Sequence, residues 1–143
     1  MKMPPPLRAK TRGSTMMEIL VAILVLGLGL LGFAGLHARS LANTHSAYLR
    51  SQATILTHDA VERMRVNRAA AKKGSYNTVI GSVPAGGSVA GDDLAEWKQN
   101  LGQALPGGDG SITVDGNSAV TITLRWNERR DGTPTTFTTQ TTF

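Results

Sequence analysis

One carboxylate, Glu18, lies at the start of a strongly apolar stretch, four residues after Ser14. Residues four apart in a helix share one face and lie one turn from each other. A cut between Gly13 and Ser14 would retain the apolar stretch and give Ser14 a free amine close to Glu18. The spacing therefore predicts an ion pair between this amine and the carboxylate, within one chain or between neighbouring chains.

A simpler interpretation of Glu18 stays open at this point. A carboxylate at the centre of a bilayer costs about 2.5–3.5 kcal/mol on insertion scales. Near the cytosolic edge of a membrane the side chain would reach water, which would reduce that cost. Glu18 is thus either a paired residue or an interfacial one.

The remaining reactive side chains do not form a recognisable catalytic or metal site. His37, His45 and His58 lack the i, i+4 spacing of a helical metal pair, so we expect solvated or packed histidines. The chain has no cysteine, which excludes disulfides and thiolate metal sites. Residues 109–111 (DGS) lack the alternating carboxylates of a calcium loop and are interpreted as a turn. With no nucleophile elbow or phosphate loop, we predict no enzyme, metal or cofactor.

The apolar stretch itself predicts a membrane span. Residues 19–36 contain no charged or polar side chain, and with the preceding methionines a helix here would reach about 30 Å, the thickness of a bilayer core. Residues 1–13 carry four bases and no acid, which should hold this end in the cytoplasm. A discarded secretory signal fits less well, because its apolar centre has only about 7–15 residues and a small-residue cleavage site follows it.

The charge distribution argues against a nucleic-acid partner. The net charge is +5, and most of it comes from the basic residues 1–13. The rest of the chain is nearly neutral, whereas a polyanion-binding surface needs basic residues clustered on the folded part.

After the span, the spacing of apolar residues predicts that the helix continues from about Thr15 to about Asn67. Apolar side chains recur at three, four and seven positions; they are Leu41, Tyr48, Leu49, Ile55, Leu56, Ala60 and Met64. Asp59 with Arg63, and Glu62 with Arg65, are spaced for ion pairs on the helix surface.

The C-terminal half predicts a small sheet that the helix covers. Residues 69–91 indicate a loop, with a short strand at 78–80, and residues 92–105 a short helix. Three strands, 111–114, 119–127 and 135–143, are separated by turn signals at 115–117 (DGN) and 130–132 (RDG). In the middle strand, alternate residues form one apolar face; they are Val120, Ile122, Leu124 and Trp126.

The stretch GSTMMEILVAILVL resembles the class III signal of type IV pilins and pseudopilins. Gly13, Thr15 and Glu18 match that signal, whereas Ser14 stands where the family usually has phenylalanine. The resemblance implies that a prepilin peptidase cuts after Gly13, that Ser14 becomes the methylated N-terminus, and that Glu18 assists docking into a growing filament.

Residues 30–76 resemble the type IV pilus modification protein family, PilV, through LLGFAGL, SAYLRSQATILTHDAVERMRVNRAAA and GSY. The resemblance implies a minor type IV pilin with an α+β, type IV pilin-like fold: a long N-terminal helix packed on a small antiparallel β-meander. The expected regions are a leader (1–13), the membrane or filament-core half of the helix (14–36), its amphipathic half (37–68) and a globular head (69–143).

The family resemblance also implies partners and a location. The partners are other minor and major pilins, the prepilin peptidase, the inner-membrane assembly machinery and the lipid bilayer. The chain would cross the inner membrane once, with its N-terminus cytoplasmic and its head periplasmic, and then reach the pilus at the cell surface. Two alternatives stay open: a minor pseudopilin of a type II secretion system, and a membrane-anchored surface-binding module that does not assemble.

Overall fold

The computed structural model describes residues 14–115, 118–128 and 133–142. Along these residues the elements are α1 (Ser14–Val66), α2 (Arg68–Lys72), α3 (Val89–Ala104), β1 (Asp109–Val114), β2 (Ala119–Asn127) and β3 (Pro134–Thr142). The strands form one antiparallel sheet in the order β1-β2-β3. A long N-terminal helix packed on a small antiparallel meander is the α+β fold that the sequence predicts.

Helix α1 is continuous over 53 residues, and it contributes to two compact units. The first unit ends at Asn43 and the second begins at Thr44. Within the described part of the first unit, every residue with an assigned exposure is exposed to solvent. In the second unit α1 supplies one side of a hydrophobic core.

The core of the second unit forms where α1, α3 and the inner face of the sheet meet. All four alternate β2 residues of the predicted apolar face are at most 1 % exposed, which confirms that face. They pack with large side chains from the helices and the connecting loop; these include Leu49, Leu56, Met64, Tyr76, Trp97 and Leu101. Burying such side chains is the main favourable contribution to folding.

The predicted apolar face of α1 is partly wrong. Leu49, Leu56, Ala60 and Met64 are buried, and Ala53 and Val61 join them. Leu41, Tyr48 and Ile55, by contrast, are each more than half exposed. Each of the last two directly precedes a buried leucine, and successive residues of a helix point about 100° apart. The exposed run of Leu41, Tyr48 and Ile55 therefore lies beside the buried stripe rather than on it.

Several element boundaries differ from the predicted ones, and helix α2 lies at the start of the segment predicted as a loop, residues 69–91. Helix α3 begins at Val89 rather than residue 92, because the Ser88 hydroxyl accepts a hydrogen bond from Gly91 N–H and caps the helix. Strand β1 begins at Asp109, so the interpretation of residues 109–111 as a turn is wrong. The predicted strand at 78–80 is reduced to one bridge between Thr78 and Ile112.

Gly110 explains why the chain can form a strand where a turn was expected. It pairs with Leu124 across the sheet, and a Cβ atom at this position would lie 2.6 Å from Trp97 Cη2 and 2.8 Å from Leu124 Cδ2. The glycine is required by this close approach of the helix to the strand. Of the two predicted turns, residues 116–117 and 130–132 lie outside the described residues.

Candidate functional site

The predicted processing and assembly site lies at the beginning of α1. Ser14 is the first residue of the helix, and Glu18 follows one turn later with an exposed side chain. Gly13 lies outside the described residues. Among the residues that the structure describes, none makes a hydrogen bond or ion pair with the Glu18 carboxylate. The amine that we expect as its partner would exist only after the chain is cut.

The segment after Glu18 exposes an unusually large apolar surface. Large hydrophobic residues from Met16 to Leu36 are each more than half exposed. This is the one helix of the described residues that is long and apolar enough to cross a membrane. Soluble monomers rarely leave an apolar surface of this size uncovered, so it requires lipid or other protein chains around it.

Four glycines interrupt this apolar surface without interrupting the helix. A Cβ atom at Gly27, Gly29, Gly32 or Gly35 would meet no atom within 4 Å. No contact with any residue that the structure describes therefore explains their small size. Small residues on a membrane helix let neighbouring helices approach closely, and each glycine also weakens the helix by about 1 kcal/mol relative to alanine.

In the second unit, charged side chains gather around Arg63 on α1. Its guanidinium lies 3.0 Å from Asp59 of the same helix, 3.2 Å from Asp93 and 2.9 Å from Glu96. Asp93 and Glu96 belong to α3, so Arg63 joins the two helices. The Arg63 side chain is only 20 % exposed, which strengthens these contacts relative to a fully solvated ion pair.

Tyr76 extends this cluster into the core. Its hydroxyl donates a hydrogen bond to Asp93 and accepts one from Asn67 Nδ2. Burial raises the pKa of Tyr76, and the hydrogen bond to Asp93 raises it further. The hydrogen bond from Arg63 lowers the pKa of Glu96, and the same contact with Glu96 is the main reason that the pKa of Arg63 is raised.

A second ion pair fixes the loop that precedes α3. Lys98 Nζ lies 3.0 Å from Asp109 Oδ1 and donates hydrogen bonds to the carbonyl oxygens of Val79 and Ser82. Asp109 also accepts hydrogen bonds from the N–H groups of Gly81 and Gly110. Burial alone would raise the pKa of Asp109, but these donors and Lys98 outweigh it and hold that pKa below its usual value.

These clusters join elements and provide no reactive group. Every charged side chain at the centre of each cluster has an oppositely charged partner, and the described residues contain no group of three metal-binding side chains. Of the histidines, His37 stacks on Phe33 with 6.1 Å between ring centroids.

Sequence reasoning found the pairs of Arg63 with Asp59 and of Arg65 with Glu62, and the structure contains both. It missed the contacts of Arg63 with α3, because those partners lie 30 and 33 residues further along the chain. The available signal was weak: two acids three positions apart, Asp93 and Glu96, in a helix whose apolar face was already assigned to the core.

One comparison with known proteins supports the class that the fold suggests. The family model described as type IV pilin Tt1218 (Tt1218-like) matches residues 35–86, which is a little over a third of the chain. The matched range runs from the end of the apolar segment through α2 and includes Arg63 and Tyr76. No curated protein and no solved structure matches the chain.

The match and the fold together support a type IV pilin, a structural class of protein that is anchored by an apolar N-terminal helix and assembled in a pilus. They do not distinguish the PilV family from other type IV pilins. The more specific assignment is therefore part of the proposal that follows.

Proposed function

We propose that this chain is a minor type IV pilin of the PilV type, cut after Gly13 and assembled with other pilins to promote pilus assembly or modification. The observation that carries the proposal is the continuity of α1. The family match begins at residue 35, where the uncovered apolar segment of α1 ends, and α1 itself begins at Ser14 with Glu18 one turn later. One uninterrupted helix thus joins Glu18, the apolar segment and residues 35–66 of the matched region.

The division of roles along the chain follows from this arrangement. Residues 1–13 act as a leader that the prepilin peptidase removes, and Ser14 then becomes the methylated N-terminus. Residues 14–36 anchor the chain in the inner membrane and later enter the filament core. Residues 37–68 complete the helix, and residues 69–143 form most of the head.

Glu18 is the assembly residue in this proposal. In the membrane its position near the cytosolic end allows water to reach the carboxylate. In a filament core, from which water is excluded, an uncompensated carboxylate is costly, so it needs the amine of a processed N-terminus. The amine belongs to Ser14 of the same chain or of a neighbouring subunit.

The partners are other minor and major pilins, the peptidase and the inner-membrane assembly machinery. The N-terminus faces the cytoplasm and the head the periplasm until the subunit enters the pilus. The exposed apolar surface from Met16 to Leu36 supports this proposal, since lipid and neighbouring pilin helices are the two environments that would cover it.

Two other functions share part of this evidence. A minor pseudopilin of a type II secretion system would need the same leader, cut and Glu18. A membrane-anchored binding module would need the span and the head, but neither Gly13 nor Glu18 in particular.

The decisive experiment is mass spectrometry of the mature N-terminus. The protein is isolated from membranes and from sheared surface filaments of a host that contains the peptidase. We expect a chain that begins at Ser14, with an N-methyl group, in both fractions. An intact Met1 would exclude processing, a start beyond residue 36 would indicate a discarded signal, and absence from the filaments would favour the secretion pseudopilin.

A further inference from the structure

The two edges of the sheet are treated differently, and the β1 edge is covered. Ile112 exchanges two hydrogen bonds with Thr78, each 3.0 Å long. Val114 N–H donates to Asn77 Oδ1 at 2.8 Å, and Gly110 N–H donates to Asp109 Oδ1 at 2.7 Å. The three outward amides of β1 therefore all have acceptors, and the loop before α3 supplies two of them.

The direction of the β2 backbone shows which atoms of β3 point outward. Asn127 N–H donates to the carbonyl oxygen of Pro106, and the carbonyl oxygen of Ala119 accepts from Asp115 N–H. The odd-numbered residues of β2 therefore direct their backbone N–H and C=O groups toward β1. The even-numbered residues of β2 direct their backbone N–H and C=O groups toward β3, where they pair with odd-numbered residues. Because strand residues alternate in direction, the even-numbered residues of β3 direct N–H and C=O away from the sheet; they are Thr136, Thr138, Gln140 and Thr142.

No described residue covers this outer edge of β3. The hydrogen bonds of the described chain include none to the outward amides of Thr136, Thr138 or Gln140. Natural sheets protect such edges with charged side chains, internal prolines or bulges. Strand β3 (PTTFTTQTT) has no charge, and its single proline is its first residue. At Thr136, Thr138 and Gln140 the edge is thus a regular, neutral row of N–H and C=O groups that no described residue uses.

A groove lies directly beneath this edge. A cavity of about 220 Å³ separates α1 from β3, and Thr57, Val61, Phe137 and Thr139 line it. Side chains on one face of a strand alternate with those on the other. A fourth strand added to β3 would therefore direct every second side chain into the groove and the others onto the exposed face of the sheet.

The lining of the groove defines the chemistry of the segment. Threonine hydroxyls and the apolar side chains of Val61 and Phe137 make up most of the lining. The other polar side chains are His58, Gln140 and Arg65, and the guanidinium of Arg65 already lies 2.6 Å from Glu62. A charged side chain would gain little there, whereas small or medium apolar side chains would fill the space. The suitable segment is extended and uncharged, with residues such as valine at alternate positions.

We propose that β3 accepts an extended, uncharged segment of another protein as a fourth strand of the sheet, with alternate apolar side chains in the groove between α1 and β3. A second copy of this chain fits less well, because β3 (PTTFTTQTT) would bring threonine rather than an apolar side chain to three of its four alternate positions, 135, 139 and 141. All the residues concerned lie in the second unit, so the proposal does not depend on cleavage or filament assembly.

The test measures binding of a designed probe to the full-length protein in detergent. The probe is a fluorescein-labelled peptide of four Thr-Val repeats, and a peptide with the same composition in two blocks (four Thr, four Val) is the control. We expect saturable binding of the alternating peptide, measured by fluorescence anisotropy, and at least about tenfold weaker binding of the block peptide, a difference of about 1.4 kcal/mol.

Two N-methylated peptides test whether the backbone carries the interaction. One is methylated at every valine and the other at every threonine, so each loses the donors of one edge only. Strand pairing uses one edge, and we expect one peptide to bind nearly as well as the parent and the other at least tenfold more weakly. Equal effects of the two modifications would overturn the proposal.

Variants of the protein locate the site. Thr138→Pro removes an outward N–H that no described residue uses, and edge strands tolerate proline at such positions; we expect at least a tenfold loss. Thr138→Lys is a second variant that does not constrain the backbone, and Thr123→Lys is its control. Thr123 is the cross-strand partner of Thr138 on β2, with the two hydroxyls 3.2 Å apart, but it is not on an edge.

The outcomes are decisive in either direction. Loss of binding in both Thr138 variants with retention in Thr123→Lys supports the site. Absence of saturable binding, or equal binding by Thr138→Pro, overturns it. Protection of the Thr138 amide from hydrogen exchange that increases with protein concentration, without peptide, would identify a second copy as the occupant and would also overturn it.

Discussion

The indole nitrogen of Trp97 donates a hydrogen bond of 2.9 Å to the carbonyl oxygen of Leu56. The bond joins α3 to α1 across the core. The other tryptophan, Trp126, is equally buried, but its indole nitrogen has no partner among the described residues. Two tryptophans in one core thus differ in whether their polar atom is satisfied.

This difference predicts unequal effects of the same substitution. Trp97→Phe removes a hydrogen bond with a net value of about 0.5–1.5 kcal/mol in addition to packing. Trp126→Phe removes packing together with an unsatisfied buried N–H group, whose loss is favourable. We expect Trp97→Phe to lower the free energy of unfolding by about 1–2 kcal/mol more than Trp126→Phe does. Urea denaturation followed by the fluorescence of the remaining tryptophan measures this, and equal losses would contradict it.

The contacts of Arg63 predict that this side chain stabilises the packing of α1 on α3. Arg63→Met keeps much of the apolar stem but removes the cation beside Asp93, whose side chain is only 23 % exposed. We expect a loss of about 1–2 kcal/mol. Arg65→Met is the matched control on the same helix, since Arg65 and its partner Glu62 are both more than half exposed. Exposed pairs contribute less than about 1 kcal/mol. Similar melting temperatures for the two variants would show that Arg63 acts only as a surface residue.

Each of the two ion-pair clusters contains a carboxylate with a lowered pKa, so we expect the protein to lose stability in acid. The hydrogen bond from Arg63 holds the pKa of Glu96 below the ordinary 4.5, and the pKa of Asp109 lies below the ordinary 3.8. A depressed pKa contributes stability that is complete above the unfolded value and is lost as the pH falls through the folded one. We therefore expect the urea concentration at the unfolding midpoint to stay constant from about pH 7 to 5 and to decrease below about pH 4. Asp109→Asn should flatten the lower part of that decrease, and an unchanged pH profile would contradict the assignment.

Glu18 predicts a defect in assembly without a defect in insertion. Glu18→Ala removes a charge from an apolar helix, so the chain should still enter the membrane and be cut after Gly13. In the filament it should leave the N-terminal amine without a partner, which we expect to reduce incorporation at least about tenfold, equivalent to 1.4 kcal/mol. Glu18→Gln separates charge from shape and should fail nearly as severely.

The measurement is the amount of the protein in sheared filaments, and the pilus number, in a strain that lacks the native copy. Glu62→Ala is the control, because it removes an exposed glutamate from the same helix but outside the span. Normal incorporation of Glu18→Ala would leave Glu18 as an interfacial residue and would remove the assembly role.

Local pattern was sufficient to predict much of this fold. The alternation in β2 identified its buried face because every second side chain of a strand points to the same side. The uncharged run of residues 19–36 and the absence of proline afterwards predicted one long helix, and α1 ends at Val66, one residue before the expected end.

Contacts between distant parts of the chain could not be predicted in this way. The side of α1 that holds Leu56 rather than Ile55 is chosen by α3 and the sheet, not by the spacing of apolar residues alone. Asp109 was assigned to a turn because its neighbours Gly110 and Ser111 favour turns, whereas Trp97 requires a glycine in a strand there. The same limit applies to the groove beside β3, which depends on the distance between two elements.

The bond between Trp97 and Leu56 also has a consequence for biosynthesis. Its two residues are 41 positions apart, and at about 5–20 residues per second the ribosome needs roughly 2–8 s to add that length of chain. During this time α3 and the sheet, which cover the apolar stripe of α1 in the folded protein, have not yet been synthesised. Under the proposed function, export of the head therefore passes through a stage in which a chaperone that holds unfolded chains can compete with folding, and slower translation between α1 and α3 would lengthen that stage.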